Sequence, residues 1–130
     1  MSRLPLEGMH VVEFGQIVAG PTAGLILADM GADVIKVEPP DAGTPSRPGS
    51  QRNGSFFYFN RNKRGIAANI ATPEGRKAFE AGLHMAGVEV RDIQAILLTH
   101  GHPDHFGLAQ EIREKSGASV IAHGGDRPLI

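Results

Sequence analysis

Residues 9–37 read MHVVEFGQIVAGPTAGLILADMGADVIKV, and this stretch decides the expected fold. Residues 9–14 form a short run of β character, and residues 33–37 form another. Between them Ala23, Ile26, Leu27 and Met30 recur at helical spacing, with Pro21 near the start and Gly31 at the stop. Strand, helix and strand with short joins make a βαβ unit, which implies parallel strands and a right-handed crossover.

Working outward, residues 39–54 are rich in Pro, Gly, Ser and charge and read as an exposed loop. Residues 55–64 read as a helical turn or two, and residues 66–70 as a third strand. Thr72, Pro73 and Glu74 supply an N-cap hydroxyl, a proline at the first helical position and an acid in the first turn. Phe79, Leu83 and Ala86 continue that helix as an apolar stripe ending at Gly87. The continuous apolar run at 95–98 (AILL) predicts a strand buried on both faces. Leu108, Ala109 and Ile112 place another helix, stopped at Gly117, and residues 119–122 make a fifth strand. The alternation predicts an α/β fold, a single three-layer Rossmann-like domain with about five mostly parallel strands over residues 1–130.

The 41% apolar and 21% charged content is that of a folded chain with one core. A net charge of -1 supplies no global field for nucleic acid or an anionic membrane surface, so neither is an expected partner. The absence of cysteine excludes disulfides, thiolate metal sites and a cysteine nucleophile. The most apolar stretch, residues 17–28, is broken by Gly20, Pro21 and Gly24 and is too short to span a bilayer. No signal peptide is apparent, and a cytoplasmic location is the default expectation.

The run LPLEGMHVVEFGQIVAGPTAGLILADMGADVIKVEPP, followed by FFYFNRNKRGIAANIATPEGRKAF, resembles the start of the family III coenzyme A transferases. The resemblance covers roughly the first 80 residues. It implies a Rossmann-like half-domain holding the nucleotide of CoA or an acyl-CoA at the carboxyl ends of its strands, as open α/β sheets favour. Matched by motif, the implied binding residues are Val18 and Ala19 after the first strand, Glu38 and Pro39 at the end of the second, and Ala68, Asn69, Ile70 and Ala71 at the third. The family pattern after NRNKR usually reads like ALDLKTPEG, whereas this chain reads AANIATPEG. A phosphate-facing lysine is thereby replaced by Ala71 and an acidic position by Asn69, so the implied CoA binding is weak. The family's carboxylate nucleophile matches no position, and no catalytic residue is assigned. Arg61, Lys63 and Arg64 read as a solvated basic cluster with a structural role.

The segment AGVEVRDIQAILLTHGHPDHFGLAQEIREKSGASVIAH, within residues 81–130, resembles the metallo-β-lactamase superfamily. Its H-x-H-x-D-H pattern is carried by His100, His102, Asp104 and His105, four nitrogen and oxygen ligands on one short loop after a strand. The resemblance implies His100 and His102 on one metal and Asp104 and His105 on a second; because the family's later ligands match no position, a single divalent ion is expected, zinc first among candidates. His123 is a further candidate ligand, while His10 and His84 read as structural or surface histidines. Three readings therefore stand side by side. One is a CoA-transferase-like fragment that binds CoA without turnover. The others are a metal-binding hydrolase fragment and a non-catalytic chimeric or truncated α/β domain, with self-association through an exposed strand edge compatible with each.

Overall fold

The computed structural model describes residues 3–40, 54–100 and 108–129. Element order is β1 His10–Glu13, α1 Ala19–Asp29, β2 Asp33–Glu38, α2 Gly54–Asn60, β3 Lys63–Ala67, α3 Pro73–Met85, β4 Ala95–Leu97, α4 Ala109–Ser116 and β5 Ser119–Ile121. Short 3-10 turns lie at Val90–Asp92 and Gly124–Leu129. The architecture is α/β, and each strand pairing is parallel. The strands divide into two sheets, β1-β2-β3 and β4-β5, where the sequence pattern suggested one. The chain correspondingly forms two compact units, Met1–Phe79 and Glu80–Ile130.

In the first unit β2 is central. Its register sets Glu13 beside Lys36, Lys36 beside Gly65 and Val34 beside Lys63. Side-chain alternation therefore places Val11, Glu13, Val34, Lys36 and Lys63 on one face. That face meets α1: Ala28, Ala32 and Val34 are buried together, with Leu6, Val11 and Leu27 packed against them. The other face carries Ile35 and Val37, both almost fully buried. Phe14 and Phe79 meet with ring centroids 5.4 Å apart. Burying apolar side chains of this size is worth about 1.5–3 kcal/mol each before entropy is set against it.

The helix expected from the spacing of Ala23, Ile26, Leu27 and Met30 forms as α1, whose buried side is Pro21, Gly24, Leu25 and Ala28, while Ala23, Ile26 and Met30 are exposed. Small residues at 24 and 28 let the helix lie close to the sheet, which a stripe of larger side chains would prevent. The third strand is Lys63–Ala67 rather than residues 66–70. Asn62 takes the left-handed conformation at φ 61° and brings the chain straight out of α2 into β3. Beyond Ala67 one more ladder bond follows, Ala68 N–H to Glu38 O at 2.8 Å, and the chain then turns.

The second unit contains the parallel pair β4-β5, with α4 packed on β5 and on the turn Val90–Asp92. Its buried apolar residues are Leu83, Val88, Ile112 and Ala118. α4 stops where expected, at Gly117 with φ 73°, whose N–H bonds to Arg113 O at 2.8 Å. β4 is not buried on both faces: Ala95 and Leu97 are exposed, Leu97 by 68%. In a two-stranded sheet flanked by α4, an apolar run does not by itself secure cover on both sides. No helix among the described residues is long and apolar enough to cross a membrane.

Candidate functional site

Because β1, β2 and β3 are parallel, their carboxyl ends share one sheet edge, and each end leads into a candidate segment. Val18 is the N-cap of α1 and Ala19 its first residue; both are exposed, and no side chain caps the helix. Glu38 closes β2 and Pro39 follows it, both half-buried. Ala68, Asn69, Ile70 and Ala71 continue from β3, with Ala68 buried and Asn69 and Ala71 exposed. All eight residues thus belong to segments at this edge.

Two local devices shape the edge. Asn69 Oδ1 accepts the Ala71 N–H at 3.2 Å, and Asn69 O accepts the Thr72 N–H at 3.0 Å, so the chain reverses tightly after β3. Thr72 Oγ1 then accepts the Gly75 N–H at 3.1 Å, the N-cap bond that the sequence announces for α3. Arg76 Nε donates back to Ile70 O at 3.0 Å. A Cβ at Gly75 would stand 1.8 Å from Asn69 O, so only glycine lets α3 begin this close to the turn.

Behind the edge lies a charged cluster that the sequence reading did not foresee. Glu13 Oε1 accepts Lys36 Nζ at 2.9 Å, and Oε2 accepts Lys63 Nζ at 2.6 Å. All three side chains are at most 5% exposed. Lys63 also donates to Pro21 O at 2.8 Å and Asn60 Oδ1 at 3.2 Å, and Lys36 donates to Gly15 O. Burial holds the Lys63 ammonium below the usual lysine range. Glu13 pulls the other way, and the like charge of Lys36 adds to the depression. The available signal was a charged residue inside each apolar strand run, VVE and VIKVE.

The basic cluster is therefore not uniformly solvated. Lys63 is interior, while Arg61 pairs with Asp29 at 2.5 Å and Arg64 Nε with Asp33 Oδ1 at 2.9 Å. The structural role expected of this segment is what these partners describe.

Of the four candidate metal ligands, only His100 is described; His102, Asp104 and His105 lie outside the described residues. His100 is half-buried beyond the end of β4, its Nδ1 3.0 Å from Thr99 Oγ1. His123 follows β5 and accepts the Gly125 N–H at 3.2 Å. His10 lies 3.2 Å from Asp33, and His84 lies 2.5 Å from Glu89. Among the described residues no three His, Cys, Asp or Glu side chains group as a metal site.

A parallel sheet whose strand ends converge on one edge is the nucleotide-holding arrangement of open α/β proteins. The family model for CoA-transferase family III matches residues 6–112, and the chain belongs to that family. It is 43% identical over 125 residues to the succinyl-CoA:glutarate CoA-transferase of Mus musculus, covering 92% of this chain and 28% of that protein. It is 44% identical over 82 residues to the succinate–glutarate CoA-transferase of Agrobacterium fabrum, covering 55% of this chain and 20% of that one. The crystal structure of a CAIB/BAIF family protein from Brucella suis superposes with a TM-score of 0.60 at 33% identity, over 93% of this chain and 33% of that one. The chain thus spans about a fifth to a third of the length of such relatives. The family match extends beyond the first 80 residues that carry the resemblance and takes in the HGHPDH stretch.

Proposed function

We propose that this chain provides the CoA-holding edge of a family III CoA transferase and binds CoA or an acyl-CoA weakly. The observation that carries the reading is the arrival of 18–19, 38–39 and 68–71 at one edge of a parallel sheet, beside an α1 N-terminus that no side chain caps. Free amides and the positive end of the helix dipole favour phosphate there. Exposed Val18 and Ala19 allow close approach of a ligand to the backbone. The chain's own residues bind and orient the nucleotide in this reading, and none is assigned to the acyl-transfer chemistry.

Ala71 stands where the family resemblance places a phosphate-facing lysine, which accounts for weak binding. A charged hydrogen bond contributes about 1.5–3 kcal/mol, or roughly ten-fold or more in affinity. Calorimetric titration with CoA should therefore show salt-sensitive binding that Ala71→Lys tightens by about ten-fold. Equal affinity of Ala71→Lys and the unaltered chain would remove the phosphate from this loop, and no heat from either would remove the CoA reading.

A zinc site at His100, His102, Asp104 and His105 is a separate proposal. Its support is the spacing of the motif and the position of His100 directly beyond β4. The double change His100→Ala with His102→Ala should abolish thermal stabilisation by added zinc. Undiminished stabilisation in that variant would place the ion elsewhere.

A further inference from the structure

Lys36 and Lys63 come from neighbouring strands, converge on Glu13, and each then reaches a backbone carbonyl, one in the β1–α1 connection and the other in the first turn of α1. Lys36 donates to Gly15 O and Lys63 to Pro21 O. Those carbonyls bracket residues 16–20, the segment that carries Val18 and Ala19. A further hold comes from Gln16, whose Nε2 donates to Phe14 O at 3.1 Å and Val37 O at 3.2 Å. The segment is also closed on itself, since a Cβ at Gly15 would fall 2.6 Å from Gly20 Cα.

From this we infer that Lys36 and Lys63 are positioning residues that fix both ends of the 16–20 segment, where the loop after β1 enters α1, so that it meets its ligand preformed. The inference rests on the CoA reading of Val18 and Ala19. The chemistry suits the task. Two ammonium groups sharing one carboxylate leave an excess of donors, and carbonyls accept what the carboxylate does not. A neutral side chain in either place would fill the space without reaching the carbonyl. Lys63 leaves no donor over, because its contacts with Glu13, Pro21 and Asn60 use all three N–H bonds. A loop held in its bound shape loses less freedom on binding, so loosening it lowers affinity without removing any ligand contact.

The test compares the full chain with Lys63→Met and Lys36→Met. Each variant leaves Glu13 with one lysine, a neutral pair, so neither strands an unpaired buried charge. Amide NMR shifts of residues 16–20 in the ligand-free protein should move in each variant, while those of Ile112 in α4 and Ala118, far from either substitution in the chain, stay in place. CoA affinity by calorimetry should fall at least ten-fold. Should Lys63→Met lose its fold, Lys36→Met decides, because it leaves the Lys63 contacts with Glu13, Pro21 and Asn60 in place. Unmoved loop amides, or CoA affinity within two-fold of the unaltered chain, overturn the positioning role. Absence of CoA binding by both the unaltered chain and Ala71→Lys instead overturns the CoA reading, and the loop amides alone then decide whether the lysines hold the loop.

Discussion

Gly24 of α1 lies so close to Glu13 of β1 that a Cβ at position 24 would stand 2.0 Å from Glu13 Oε2 and 3.1 Å from Lys63 Nζ. The helix thus rests on the ion cluster through a position without a side chain. In an exposed helix Gly→Ala would gain about 1 kcal/mol. Here the carboxylate is held by two lysines and cannot swing aside without breaking a pair.

Gly24→Ala should therefore destabilise the protein, by about 1–3 kcal/mol as for other overpacked sites. Urea denaturation checks the sign. A stabilised variant would mean that Glu13 has room to move and that the cluster is loosely held.

Removing the shared carboxylate should cost more than removing either lysine. Glu13→Gln leaves two buried ammonium groups facing a neutral amide, and breaking a buried pair costs about 3–5 kcal/mol. Comparing unfolding midpoints of Glu13→Gln and Lys36→Met tests the ordering. Equal losses would show that the charges act separately.

Asp33 gives a pH signature. Burial pushes its carboxyl up, but hydrogen bonding and charge from Arg64, followed by His10, outweigh that and hold it below its ordinary value of 3.8. Between the two values the unfolded chain binds more protons. The contribution of Asp33 is thus complete above about 3.8 and lost as pH falls through the lower, folded value. Asp33→Asn should flatten the acid limb of the stability–pH curve. Parallel limbs for variant and unaltered chain would assign the acid dependence to other carboxylates.

Thr72 caps α3 through its bond to the Gly75 N–H at 3.1 Å. Thr72→Ala should lower stability by about 1 kcal/mol, and Thr72→Ser should restore most of it. Loss in both variants would point to packing of the threonine methyl group instead.

The reading of residues 1–130 as one merged domain predicts a single cooperative transition. Phe79 in the first unit and Leu83 in the second are both buried. Amide exchange in increasing urea should release Ile35 and Ile112 together. Separate midpoints would make the units independent in folding.

Much of the fold was legible because its signals are local. The βαβ unit, the Thr72–Pro73 helix start and the Gly117 stop each depend on neighbours within a turn or two, where spacing and backbone preference act directly. Other features depend on what meets across space. Lys63 reads as one of several surface cations until Glu13, fifty residues away, receives it in the interior. β3 begins at Lys63 because Asn62 turns the chain there and register with Val34 fixes the pairing. The exposure of Leu97 follows from which elements cover β4, and no apolar run encodes its own cover. Local propensity writes the elements, but partner choice in a sheet and the burial of charge are settled only when distant segments pack, because pairing and desolvation energies belong to the contact and not to either residue alone.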